Sequence, residues 1–223
     1  IMFLNTWHLN NQQRDFINKK IKVPGKTIIW CYAPGIFNEN KKSIEAMQEL
    51  TGFKIVPAGN SLIEPKVILN DAAKTQMQKA GEEPYNAAFG LDGKLCMLFS
   101  VNDDEAQPLG LLNGSNKITF AKKQIDGWTS IYSITPVFPP SVVRWIAKSA
   151  GVHIFNDKDD TIYVNKSYIA INAGSAGTKT LRLPLKSDVY EAFTEKKWFS
   201  GVEQFETSLM YGETQIFRYQ PAQ

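Results

Sequence analysis

The sequence predicts an α/β chain: a doubly wound, mostly parallel sheet over residues 1–152, followed by a small all-β, sandwich-like module over 153–223. Three observations predict it. Strand and helix patterns alternate through the first third of the chain. An amphipathic helix at 140–150 closes that part, with proline at its entrance and Gly151 past its exit. After Gly151 only strand patterns recur, at short intervals. The chain's 223 residues are 43% hydrophobic and 21% charged, which is a globular composition. A chain of this size buries about 70% of its unfolded surface.

The elements follow in order. Met2 to Trp7 reads as an apolar strand. Asn10 stands three residues before Gln13, a capping-box start. Phe16, Ile17 and Ile21 then recur at helical spacing, with Arg14, Asp15, Lys19 and Lys20 on other faces, until Pro24-Gly25 stops the helix. Thr27 to Tyr32 is apolar throughout, as in a parallel strand covered on both faces. Ser43 caps a helix that turns Ile44, Met47 and Leu50 inward, and Gly52 sits at its left-handed end. Phe53 to Val56 is the third strand. Between residues 58 and 116, Asn70-Asp71, Gly81, Gly90, Asp92-Gly93 and Leu109-Gly110 read as loop punctuation. Lys66 to Leu69, Leu95 to Val101, Ile118 to Ala121 and Thr129 to Ile134 read as strands. In the 140–150 helix, Val142, Val143, Ile146, Ala147 and Ala150 form the inward stripe. Thr161 to Val164, Tyr168 to Asn172, Thr180 to Leu183, Phe205 to Met210 and Thr214 to Tyr219 are the strands of the last module.

Composition excludes several functions. Twenty-five basic and 22 acidic residues leave a net charge of +3 with no long run of one sign. That lacks the clustered Lys/Arg footprint of a nucleic-acid partner. The longest apolar run is about five residues against the roughly 20 of a membrane helix, so no membrane partner is expected. The chain opens inside the apolar run Ile1-Met2-Phe3-Leu4, from which we expect the first domain to be N-terminally incomplete. The compartment therefore stays open, a periplasmic or secreted location included. Cys31 and Cys96 lie in apolar runs and read as buried free thiols.

Gly25-Lys26-Thr27-Ile28-Ile29-Trp30-Cys31-Tyr32-Ala33-Pro34-Gly35, with Met47-Gln48-Glu49-Leu50-Thr51-Gly52 after it, resembles the glutamine-amidotransferase-like trimerisation domain of family forty-two β-galactosidases, bacterial glycoside hydrolases. Gly127-Trp128-Thr129-Ser130-Ile131-Tyr132-Ser133 and the 140–150 helix are similar to that domain's last strand and helix. Ala176 to Pro184 and Val189 to Phe193 resemble the short β-sandwich that closes those enzymes. The resemblance implies a flavodoxin-like fold, homotrimeric assembly, and a catalytic barrel upstream as partner, with the catalytic carboxylates in that barrel. It implies no catalytic residue in this chain.

Such a fold invites a search for a thiol hydrolase. Cys31 ends the second strand and His8 the first, so both can reach one crevice. A nucleophile elbow wants small neighbours, however, and Cys31 stands between Trp30 and Tyr32. His153 is followed by Ile154 and Phe155, without the glutaminase His-x-Glu pair, and reads as a half-buried strand residue. Asp157, Asp159 and Asp160 crowd one loop but lack the glycine and distal glutamate of a calcium hand, and read as a solvated turn. Gly174-Ser175-Ala176-Gly177 reads as a hairpin turn. No metal site and no cofactor are expected. Aromatic rings at strand ends are the feature a sugar would use. Trp7, Tyr32 and Trp128 are therefore the candidate carbohydrate-binding residues, with core packing as the alternative for each.

Overall fold

Local signals account for the first elements of the computed structural model, which describes residues 1–39, 41–59 and 62–222. Strands β1 (Met2–Phe3) and β2 (His8–Leu9) are two residues each, in place of one continuous strand. Asn10 caps α1 (Asn11–Phe16): its side chain accepts the Gln13 N–H at 2.8 Å, and the Gln13 side chain accepts the Asn10 N–H at 3.0 Å. That reciprocal pair satisfies two of the donors a helix start leaves open. A π-helical turn, Ile17–Ile21, continues the helix. Ile17 is buried there while Phe16 is exposed.

Next come β3 (Thr27–Cys31), β4 (Phe37–Asn38), β5 (Lys41–Lys42) and α2 (Ile44–Thr51). Ser43 accepts the Ala46 N–H to start α2, and Gly52 ends it at φ 77°. The chain continues through β6 (Ile55–Gly59), β7 (Lys66–Leu69), α3 (Asp71–Lys79), β8 (Phe89–Gly90), β9 (Leu98–Val101), β10 (Gln107–Leu112), β11 (Ile118–Ile125), β12 (Trp128–Ser133) and α4 (Pro140–Ser149). In α4, Val142, Trp145 and Ile146 are buried, while Val143 of the expected stripe is exposed.

The first of two units, Ile1–Ile146, holds a nine-stranded sheet in the order β1-β3-β12-β11-β10-β7-β8, with β9 joined to β11 and β6. Among the described residues only β1–β3 and β3–β12 are parallel in that sheet. The doubly wound, flavodoxin-like prediction is therefore wrong. The described residues are mostly β, with 43% strand against 17% helix, and the sheet is mixed and curled. The reason is in the connections. Each parallel pair needs a crossover of a dozen or more residues. From β6 onward successive strands instead pair antiparallel: β6 with β9 across a long connection, and β10, β11 and β12 as a meander. The amidotransferase-like reading falls with the parallel sheet.

The second unit, Ala147–Gln223, is one antiparallel sheet of β13 (Thr161–Val164), β14 (Tyr168–Asn172), β15 (Gly177–Glu191), β16 (Lys197–Leu209) and β17 (Thr214–Pro221). Its order is β13-β14-β17-β15-β16, so a single sheet replaces the expected sandwich. The β15–β16 register shifts between Arg182 and Ser187, and such bulges bend a strand pair. Leu181 and Phe205 before the bulge share one buried cluster with Ile169, Ile171 and Phe217.

Candidate functional site

The carboxyl end of β3 carries a strained backbone position. Tyr32 follows Cys31 and sits at φ 64°, a left-handed backbone that costs a residue with a side chain ~1–3 kcal/mol. Neighbours hold it there. Its N–H donates to the Ser133 carbonyl at 2.8 Å, and its carbonyl accepts the Tyr132 hydroxyl at 2.8 Å. The turn after it is clamped by Arg14, which is buried and donates to the carbonyls of Leu9, Gly35 and Ala46. A Cβ at Gly35 would lie 2.9 Å from that guanidinium and 2.7 Å from Leu50. Burial lowers the Arg14 pKa, against the pull of Glu49.

Trp7 packs edge-on against Tyr32, with ring centroids 5.5 Å apart and planes at 62°. The indole is 47% exposed and Tyr32 only 9%. Burial, helped by nearby Cys96, pushes the Tyr32 phenol above its usual value. Cys96 is exposed, against expectation, and lines a cavity of 270 Å³ with Lys42, Ile44 and Met97. The pair thus presents a half-exposed indole against a buried ring.

Trp128 is not part of this arrangement. It starts β12, beside the Thr27 end of β3, whereas Tyr32 follows the Cys31 end. At 3.3 Å per residue the two ends lie ~16 Å apart. Trp128 is buried, with the Lys22 ammonium 5.6 Å from its ring centre.

The hydrolase candidates separate as well. Cys31 has no exposed surface, and burial pushes its thiol up to about 12, so thiolate is absent at neutral pH. His8 is exposed and belongs to a different sheet, the three-stranded β2-β4-β5. His153 is exposed and outside any strand, its ring 4.6 Å from that of Phe155 and Nε2 3.0 Å from the Arg182 carbonyl oxygen.

The aspartate loop is not wholly solvated. Asp160 Oδ1 accepts from Lys179 Nζ at 2.7 Å, and the two side chains are 1% and 2% exposed. The Gly174 N–H and Ser175 hydroxyl complete that cluster, while Oδ2 of Asp160 has no hydrogen-bond partner. Among the described residues no three His, Cys, Asp or Glu side chains converge as metal ligands do.

Sequence reasoning set Arg14 on a face other than that of Phe16, Ile17 and Ile21 and missed its role. The signal was present: residues 14, 17 and 21 share helical spacing, so Arg14 lies on the face of buried Ile17.

No protein-family model matches the sequence, and no curated protein matches it. Solved structures do share its fold. A β-galactosidase from Bacillus circulans sp. alkalophilus matches 98% of the chain at 12% identity, with a TM-score of 0.61, over 32% of its own length. A cold-adapted β-galactosidase from Rahnella matches 97% at 11% identity and a TM-score of 0.64, again over 32% of its length. A catalytic mutant of a GH42 β-galactosidase from G. stearothermophilus matches 98% at 10% identity and a TM-score of 0.61, over 31% of its length. The chain therefore has the fold of a region of GH42 β-galactosidases and spans about a third of their length.

Proposed function

We propose that this chain is a non-catalytic assembly and accessory region of a larger glycoside-hydrolase-like protein. The observation that carries the proposal is coverage: at least 97% of the chain matches these β-galactosidases, over only about a third of each. The disposition of its acids supports the same reading. Glycoside hydrolysis needs two carboxyls facing each other across a sugar, ~5–9.5 Å apart. The buried carboxylates here are each committed to a cation: Asp103 to Lys123 at 3.0 Å, Glu82 to Arg144 at 3.0 Å, and Asp160 to Lys179 at 2.7 Å. In this reading an upstream barrel carries the reaction, and this chain supplies contacts between subunits of a homotrimer.

Two measurements on the purified chain test it. Chromogenic galactosides and glutamine should both remain unhydrolysed, and turnover that Cys31→Ala abolishes would overturn the non-catalytic assignment. Light scattering at micromolar concentration should show self-association. A monomer mass unchanged on concentrating would remove the assembly role.

The exposed Trp7 indole favours a second reading, carbohydrate binding at the Trp7–Tyr32 pair, since flat rings stack on pyranose faces. Trp7→Ala would then abolish retention of the chain on immobilised galactosides.

A further inference from the structure

We infer that an open cleft on the second unit's sheet, formed by β15, β16 and β17, binds a neutral polyhydroxylated ligand: a sugar residue. The cleft has a volume of 540 Å³, within the roughly 300–1,000 Å³ of small-molecule sites. Asp188, Tyr190, Lys197, Ser200, Gly201 and Gln220 line it. Strand register brings them together. Asp188 is paired with Gln220, and Tyr190 with both Lys197 and Arg218. Residues two apart on a strand share a face, so Asp188 and Tyr190 point the same way.

Polar contacts fix these groups before any ligand arrives. Lys197 Nζ donates to Asp188 Oδ2 at 2.6 Å, and the Gly201 N–H donates to Asp188 Oδ1 at 2.9 Å. Gly201 adopts φ 61°, a left-handed backbone that glycine reaches without strain. Gln220 Nε2 donates to the Tyr190 hydroxyl at 3.3 Å, and Arg218 donates to Gln220 Oε1 at 3.0 Å. Arg218 is itself anchored on Glu195 at 2.6 Å.

Chemistry then selects the ligand class. Lys197 is matched by Asp188 and Arg218 by Glu195, so no surplus charge draws an ion. The lining is hydroxyl, amide, ammonium and carboxylate, with little apolar wall to hold a hydrocarbon. Fixed donors and acceptors suit a ligand whose hydroxyls each offer both. Tyr190 contributes its hydroxyl rather than a stacking face, because Arg218 lies 4.1 Å and Lys197 5.4 Å from its ring centre.

The inference does not rest on the assembly role or on the Trp7–Tyr32 pair. The test titrates the full chain with galactose, glucose, lactose and inorganic phosphate, following amide chemical shifts. We expect saturable shifts from at least one sugar, at Gly201 and its neighbours, and none from phosphate. Ser200→Trp fills the cleft from an exposed position and should weaken binding at least tenfold, while Lys19→Ala, an exposed change on the first unit, leaves it unchanged. Gln220→Ala should weaken it severalfold with the fold intact. Overturning results are phosphate as the sole ligand, no saturation by any sugar, or binding lost in Trp7→Ala and retained in Ser200→Trp. The last of these would leave the Trp7–Tyr32 reading standing.

Discussion

A single residue decides what the end of β3 can do. Left-handed backbone at Tyr32 is held by hydrogen bonds on both sides, while the thiol one position earlier is sealed in the core. The strained position therefore carries a ring and not a nucleophile. Because burial raises Cys31 to about 12, the folded chain should react with a thiol reagent at Cys96 alone between pH 7 and 9. Counting modified thiols by mass should give one in buffer and two in denaturant. Two in buffer would place Cys31 at the surface.

The buried pair Asp160–Lys179 makes a second prediction at this scale. Removing one partner strands a charge with no water to hold it, a loss of ~3–5 kcal/mol. Lys179→Met should therefore lower the urea midpoint strongly, and Lys179→Met with Asp160→Leu should recover much of the loss. A third concerns Asp103. Burial acts to raise its carboxyl, but the N–H groups of Lys54 and Glu105 and the Lys123 ammonium outweigh burial and hold it below the usual range. A depressed carboxyl stabilises the fold above the unfolded value of ~3.9, and the contribution is lost as pH falls through the folded value. Asp103→Asn should be less stable at neutral pH and show a flatter acid limb. An unchanged acid limb would mean that Asp103 contributes nothing there.

At the scale of elements, the most legible features were those whose chemistry is local. The Asn10–Gln13 box, the Ser43 cap and the Gly52 stop each need only a few adjacent residues, and each stands where its residues require. The same residue types were misread where tertiary context chose between two uses. Asn70-Asp71 looks like a turn, yet Asn70 accepts the Ala73 N–H as the N-cap of α3 and donates to the Pro108 carbonyl. Leu109-Gly110 also looks like a turn, yet it lies inside β10. Glycine there permits close approach: a Cβ would come within 2.6 Å of Val67 and 2.9 Å of the Ile68 carbonyl. Gly110→Ala should thus force β7 and β10 apart and cost ~1–3 kcal/mol, as overpacking does. A thermal midpoint equal to the parent's would show that the strands yield without cost.

For the whole molecule, what escaped the sequence was pairing direction. Strand and helix patterns predict elements, but β6 reads identically whether it joins a parallel neighbour or, as it does, antiparallel β9. The cleft on β15, β16 and β17 was illegible for the same reason. Asp188, Lys197 and Gln220 are separated in sequence and become neighbours only through register. The structure itself divides into two units, Ile1–Ile146 and Ala147–Gln223. That division has an energetic consequence. The first unit's cluster is built on Trp30, Phe53, Phe120 and Tyr132, all fully buried, while ten buried side chains make up the second unit's cluster among the described residues. A small core yields little surplus over chain entropy, and separate cores break two-state behaviour. Equilibrium unfolding in urea should therefore show two transitions, the second unit melting first. Trp198 belongs to the second unit and packs edge-on against Phe217 at 5.5 Å, whereas the other four tryptophans lie in the first. Fluorescence of the parent chain should report both steps, and Trp198→Phe should delete the earlier one while circular dichroism still records it. A single transition, coincident by both probes in both chains, would show that the units unfold as one.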